Sequence, residues 1–288
     1  MRDDRSDGDR HPRREAQYSA FFEFSGALSD TGNYDSVHGR SPSPYFEGRT
    51  TNGLVAGELL AESLGLSADP SLHLVGPVRG TNFAVRDALA SGDRQRDLAG
   101  QVSAYLDSRD GRADPNALHF VFNGGNDVIQ AVMTTDHAGT AQILLDAVDG
   151  LERAICRLIE AGARSIMAPD FIDVSLVPAV RKGPDVERAR LISEFYNQSF
   201  RRMLKRVESQ LNVRLLHWSF DAFLKKLIDH GDKFGLSNTT DPCEALLSKG
   251  ACDSRTFVYL TEVFPTARVH ELMAAAMKRA ICQQEGVR

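Results

Sequence analysis

The sequence lacks the features that would put it in several common classes. It has four cysteines in 288 residues, at positions 156, 243, 252 and 282. These are too few for a disulfide scaffold, and none forms the Cys-x-x-Cys pair that holds a structural zinc. No apolar run approaches the roughly 18 to 20 residues that a membrane span needs, because charge interrupts every hydrophobic stretch. No block of like charge occurs either. Lys and Arg number 34 against 39 Asp and Glu, a formal net charge of -5, so nucleic acid is not an expected partner. The opening residues carry charge where a secretory signal has its apolar core, so the chain as written is expected in the cytoplasm. No metal or other cofactor is expected.

What is present suits a packed core: hydrophobic residues are 42% and charged residues 25% of the chain, close to the globular average. Residues 1–16, mostly Arg, Asp, Ser and Gly, show no apolar periodicity and read as a disordered tail. The texture changes at Tyr18. The aromatic run from Tyr18 to Phe24 predicts a buried strand, and Leu54, Leu59, Leu60 and Leu64 predict a helix from about Asn52 that stops at Gly65. Further strands are expected near Thr81 to Val85, Ala117 to Phe122, Arg164 to Ala168 and Val213 to Trp218. Helices are expected near Leu98 to Asp107, Thr140 to Ala161, Val186 to Leu211 and Arg268 to Cys282. This alternation implies βαβ units and a parallel sheet covered on both faces. No linker divides residues 17–288, so one domain is expected. In such a fold ligands bind beyond the carboxyl ends of the strands. That directs attention to Ser25 to Asn33, Arg86 to Ala88, Asn123 to Asp127 and Val258 to His270.

The segment Phe24-Ser-Gly-Ala-Leu-Ser-Asp-Thr-Gly-Asn33 resembles the first block of the SGNH/GDSL esterase and lipase family, F-G-D-S-L-S-D-T-G-N. The likeness continues in order through Tyr45-Phe-Glu-Gly-Arg-Thr-Thr-Asn-Gly53, Asn82-Phe-Ala-Val85, Gly124-Gly-Asn-Asp127 and Phe264-Pro-Thr-Ala-Arg-Val-His270. The resemblance implies a three-layer α/β/α, flavodoxin-like domain with a mainly parallel five-stranded sheet. It also implies a chemistry: a serine nucleophile, a glycine amide and an asparagine side chain as oxyanion donors, and an Asp-x-x-His pair. In this sequence the nucleophile position holds Ala27, which cannot attack a carbonyl. Asp87 takes the place of the glycine donor, putting a carboxylate beside a developing oxyanion. Thr261 stands where the Asp belongs and Phe264 where the His belongs, and neither can serve as general base or orient one. Only Asn126 remains. Removing triad groups from a serine hydrolase leaves roughly 10³ to 10⁴-fold acceleration through the oxyanion hole and binding, and here that hole is altered too.

Other residues have plainer roles open to them. Ser25 and Ser29 flank Ala27 but lack an evident base, so displaced nucleophiles are not expected. His270 reads as structural, His38 as a solvated loop residue and His217 as a satisfied core histidine. Asp87, Asp127 and Glu262 could line one pocket, where clustered carboxylates acquire raised pKa values suited to proton transfer. Arg86 beside Asp87 could instead make an ordinary surface ion pair. Cys243 and Cys252 resemble a cysteine pair of some secreted relatives, which implies a disulfide on export and free thiols in the cytoplasm. The leading expectation is a pseudoenzyme that binds an acyl, ester or glycan-like ligand, or a protein, in a remnant cleft formed by Ala27, Arg86, Asp87, Asn126, Asp127, Glu262 and Phe264. The alternatives are repurposed chemistry using Asp87 and Asn126, and residual ester hydrolysis.

Overall fold

All five residues of β1 (Phe21–Ser25) and all five of β2 (Leu118–Phe122) are buried, so the two central strands of the sheet have no face left for solvent. The computed structural model describes residues 18–247 and 252–286; the expected N-terminal tail lies outside them. β1 pairs in parallel with β2, setting Phe21 beside Leu118, and β2 pairs in parallel with β3 (Ser165–Met167). Two single-residue bridges extend this three-stranded sheet, Asn82 onto Glu23 of β1 and Leu216 onto Met167 of β3. Numbered along the chain, the five segments lie in the order 2-1-3-4-5, that of doubly wound flavodoxin-like sheets.

The expected five-stranded sheet is therefore reduced to three strands and two bridged residues, for reasons visible in the side chains. The Asn82 carboxamide accepts from the Ala84 amide at 2.8 Å, a local bond that competes with a continuous ladder. At the other edge the backbone of His217 is taken by Gln284, whose side chain accepts from its amide and donates to its carbonyl at 2.9 and 2.7 Å. A second sheet was not anticipated: β4 (Asn238–Pro242) and β5 (Phe257–Tyr259), parallel with a register shift.

The long helices fall where the apolar period predicts them: α3 (Leu98–Asp107), α5 (His137–Glu160), α7 (Val186–Leu211) and α10 (Ala267–Glu285). The helix expected from Asn52 begins later, as α2 (Ala56–Ser63). Its start is set by Glu58, which accepts from the Val55 amide at 3.0 Å, while Asn52 accepts from the Ala267 amide at 2.9 Å. Sequence periodicity did not reveal α1 (Asn33–His38), α4 (Gly125–Met133), α8 (Phe220–Asp229) or the single turns α6 (Pro178–Arg181) and α9 (Glu244–Leu247). α5 packs against α3, α4 and α7, and α2 packs on α10. No described helix is long and apolar enough to cross a membrane.

Cys243 and Cys252 form a disulfide with Cα atoms 5.7 Å apart, inside the normal range for such a bond. These are the two cysteines that resemble the pair of some secreted relatives.

Candidate functional site

At the carboxyl ends of β1 and β2 the chain leaves the sheet through Gly26-Ala27 and Asn123-Gly124, and a cavity of about 160 Å³ opens between them. Its floor is Ser25, Gly26, Ala27 and Asn123, and one side is the start of α4 with Gly125, Asn126 and Ile129. More of the wall comes from the segment after β3, with Phe171, Val174 and Val177, and from Phe220 and Leu224 of α8. Val263, Phe264 and Pro265 close it from the C-terminal block. Three ring pairs build the apolar end: Phe122 lies 6.2 Å from Phe171 and 5.7 Å from Phe220, and Phe171 lies 6.4 Å from Phe220.

Two glycines make this approach geometrically feasible. Gly124 has φ +101°, and a Cβ there would meet the Tyr196 hydroxyl at 2.1 Å; one on Gly125 would meet the Phe171 ring at 2.6 Å. Any side chain at either position would push α4 away from the cavity wall.

The structure brings three of the singled-out residues, Ala27, Asn126 and Phe264, into one cavity wall. The retained Asn126 has other employment. Its Nδ2 donates to the carbonyls of Arg86 and Ala88 at 3.0 and 2.7 Å, using both hydrogens to hold the segment after Asn82. Thr261 is spent on its own turn, its hydroxyl oxygen accepting from the amides of Val263 and Phe264 at 3.3 and 3.0 Å. Phe264 packs edge-on to Tyr45, 6.1 Å between centroids.

The carboxylates do not gather. Asp87 is not part of the cavity wall and its side chain pairs with Arg96. Arg86 does not partner it: its guanidinium lies 4.6 Å from the centre of the Tyr34 ring and donates to Ser41 Oγ at 2.7 Å. Asp127 is fully buried and accepts from Ala90 N at 2.8 Å and from Ser91 Oγ at 2.6 Å, anchoring that loop. Glu262 meets Lys182 on the surface at 2.8 Å.

The alternative nucleophiles and bases are likewise committed. Ser25 Oγ donates to the Phe122 carbonyl, while Gln101 clamps its backbone at both the amide and the carbonyl, each at 2.9 Å. Ser29 is buried and is not part of the cavity wall. His270 Nδ1 accepts from the Ala56 amide at 3.0 Å, and complete burial pushes its pKa down to about 3. His38 lies against Tyr34, 4.2 Å between rings. His217, expected in the core, is exposed and meets Glu208 at 3.2 Å.

Two carboxyls with displaced titration lie on β1 and in the turn after it. Glu23 on β1 is fully buried, and desolvation raises its pKa to about 8. Asp30 is raised to about 6 by the same cause, although the amides of Gly32, Asn33, Tyr34 and Arg86 all donate to it. Sequence reasoning passed over Glu23, whose signal was a lone charge in an aromatic strand. It gave no role to Asn123, although residues 123–127 were singled out, and it passed over Phe122, Phe171 and Phe220. The end of β2 marks Phe122 beside Asn123; nothing in the linear pattern joins Phe171 to Phe220.

The sequence matches the profile of the family described as GDSL-like Lipase/Acylhydrolase over residues 26–277. It is 27% identical over 233 residues to the phosphatidylcholine-sterol acyltransferase of Aeromonas hydrophila, covering 78% of this chain and 65% of that protein. It is 29% identical over 166 residues to Lipase 1 of Photorhabdus luminescens, covering 57% of this chain and 24% of that protein. An uncharacterized protein of the trpE-trpG intergenic region of Pseudomonas putida is 27% identical over 245 residues, 76% of this chain and 39% of that one. The chain thus spans less than two thirds of the length of each of these relatives. A crystal structure from Parabacteroides merdae, assigned as a GDSL-like lipase, superposes with TM-score 0.50 over 93% of this chain and 98% of that one, at 12% identity. That likeness is one of fold.

Proposed function

The chain belongs to the GDSL-like lipase/acylhydrolase family, and from that premise we propose that it binds an apolar acyl- or ester-type ligand in the cavity and does not hydrolyse it by a serine mechanism. One observation carries the reading: Ala27 and Phe264 face the same cavity from the positions that, by the resemblance, would hold the nucleophile and the base. An alanine methyl and a phenyl ring there remove two polar groups from a wall that already contains Phe122, Phe171 and Phe220. Apolar cavities with few polar groups hold ligands by burial. Ser25 and Ser29 offer no substitute chemistry, because the Ser25 hydroxyl is tied to a carbonyl inside the fold and Ser29 is buried outside the cavity wall.

The names of the relatives, an acyltransferase and a lipase, fit an acyl-type ligand better than a glycan. The test is twofold. Incubation with a fluorophosphonate followed by intact mass is expected to leave the protein unlabelled, and 4-nitrophenyl octanoate is expected to bind without a burst of nitrophenolate. Stoichiometric labelling at any serine would overturn the proposal.

A further inference from the structure

The cavity contains a polar group that the lost serine chemistry does not account for. Asn123 follows β2, in which Phe122 is in register with Ser25 of β1, so its carboxamide lies beside Gly26; a Cβ on that glycine would stand 4.0 Å from Asn123 Oδ1. Asn123 walls the cavity and is only 6% exposed. Its Oδ1 accepts from the Gly124 amide at 2.7 Å, which assigns the nitrogen to the other side of the group, and that Nδ2 has no partner.

The other polar side chains of the wall are spent. Ser25 Oγ and both hydrogens of Asn126 Nδ2 donate to backbone carbonyls. Tyr259 Oη donates to the Leu176 carbonyl at 3.0 Å. Next to Asn123, α4 begins at Gly125 without any side chain capping its first amides, and Gly125 and Asn126 belong to the same wall. A buried N–H without an acceptor is costly, and the start of a helix adds positive potential at that point.

We propose that Asn123 Nδ2, with the first amides of α4, receives the carbonyl oxygen of a neutral ligand whose alkyl chain lies among Phe122, Phe171 and Phe220. This rests on the reading of the cavity as a binding site and specifies its head-group position. The head is neutral because the wall contains no Lys, Arg or His, and a buried carboxylate without a counter-charge is strongly disfavoured. The oxygen therefore sits between Asn123 and α4, with Asn126 serving to hold backbone. An ester, ketone or amide fits; a free fatty acid anion does not.

Binding of 2-octanone, n-octane and octanoate to the full chain, with headspace gas chromatography for the two volatile ligands and calorimetry for the anion, tests this. One hydrogen bond predicts that Asn123→Ala weakens the ketone about tenfold relative to the alkane, with octanoate the weakest ligand of the unaltered protein at pH 8. Binding of n-octane is expected to persist in Asn123→Ala, which also reports that the cavity is intact. Should that variant fail to fold, nitrogen-15 spectra of the unaltered protein decide: the Asn123 side-chain amide resonances must shift with 2-octanone and stay unmoved with n-octane. A ketone-to-alkane affinity ratio unchanged by Asn123→Ala, tighter binding of octanoate, or unmoved Asn123 resonances at saturation would overturn the head-group assignment alone. Failure of both ketone and alkane to bind would overturn the cavity reading with it.

Discussion

Two neighbouring regions of this protein treat polar residues in opposite ways. Below the sheet ends, Glu23, Ser29, Asp30, Asn33 and Asn82 form a buried network. Asn82 Nδ2 donates to the Glu23 carboxyl and the Ser29 carbonyl, each at 2.8 Å, and Asn33 Nδ2 donates to the carbonyls of Asn82 and Ala84 at 2.9 Å. Above them, the cavity is walled by alanine and phenylalanine where the family resemblance implies serine and histidine. The first network knits the first block to the segment around Asn82, so removing any member would leave buried partners unsatisfied, a penalty charged to folding itself. Catalytic groups carry no such penalty. Ala27 and Phe264 show that their positions can be filled apolarly while the blocks still converge: Thr51 Oγ1 reaches the Pro265 carbonyl at 3.0 Å and Asn52 holds the start of α10.

The largest effect that would sharpen this contrast lies in the cavity wall. Phe220 is 2% exposed and packs against Phe122, Phe171 and Trp218, so Phe220→Ala is expected to lower stability by about 3–5 kcal/mol. Urea unfolding measures it, and a loss under 1 kcal/mol would mean that the wall is not packed as described.

Next comes an attempt to refill the site. Ala27→Ser alone is expected to give no ester hydrolysis above the parent, because a serine needs its base. The combination Ala27→Ser, Thr261→Asp, Phe264→His should exceed Ala27→Ser by roughly 10²-fold in 4-nitrophenyl ester turnover. An aspartate can keep the turn bonds that Thr261 now accepts. Activity from Ala27→Ser alone would show that the cavity retains a base and break the comparison.

The polar network should then reveal itself through pH. The folded-state pKa of Glu23, about 8, lies above its ordinary value of 4.5, so the folded chain binds this proton more tightly. The stability this contributes is complete below pH 4.5 and lost as pH rises toward 8. His270 has the opposite sign: lowered from 6.5 to about 3, its contribution is complete above pH 6.5 and lost as pH falls toward 3. Thermal melts across pH 5 to 9 should show an alkaline decline that Glu23→Gln flattens; an unchanged slope would remove Glu23 as its source. The smallest effect belongs to the surface. Glu262→Gln breaks an ion pair with Lys182 in which both side chains are about half exposed, and should change stability by no more than about 0.5 kcal/mol.

Much of this was legible in the linear chain because it depends on local periodicity. The apolar spacing of residues 98–107 and 186–211 predicts α3 and α7 with the observed bounds, since burying one helical face requires that spacing wherever the helix packs. The short aromatic run ending at Phe24 likewise could hardly be anything but a buried strand. Where a segment's fate depends on a distant side chain, the linear pattern failed. The strand expected at 213–218 survives as one bridged residue because Gln284, in the last helix, takes the backbone of His217.

The site divides along the same line. The identities Ala27, Asp87, Asn126, Thr261 and Phe264 say what these positions can do if the resemblance aligns them with the family blocks, because an alanine or a phenyl ring cannot attack or carry a proton in any fold. The tertiary structure alone decided what the remaining groups do. Asp87, one residue from Arg86, turns instead to Arg96, and Asn126 gives both hydrogens to backbone. Asn123, three residues earlier, is left with its amide unpartnered at a cavity that Phe171 and Phe220 complete from segments far along the chain. A residue's reactivity is written in its own atoms; its partners, burial and charge balance are set by what folding brings within a few ångströms.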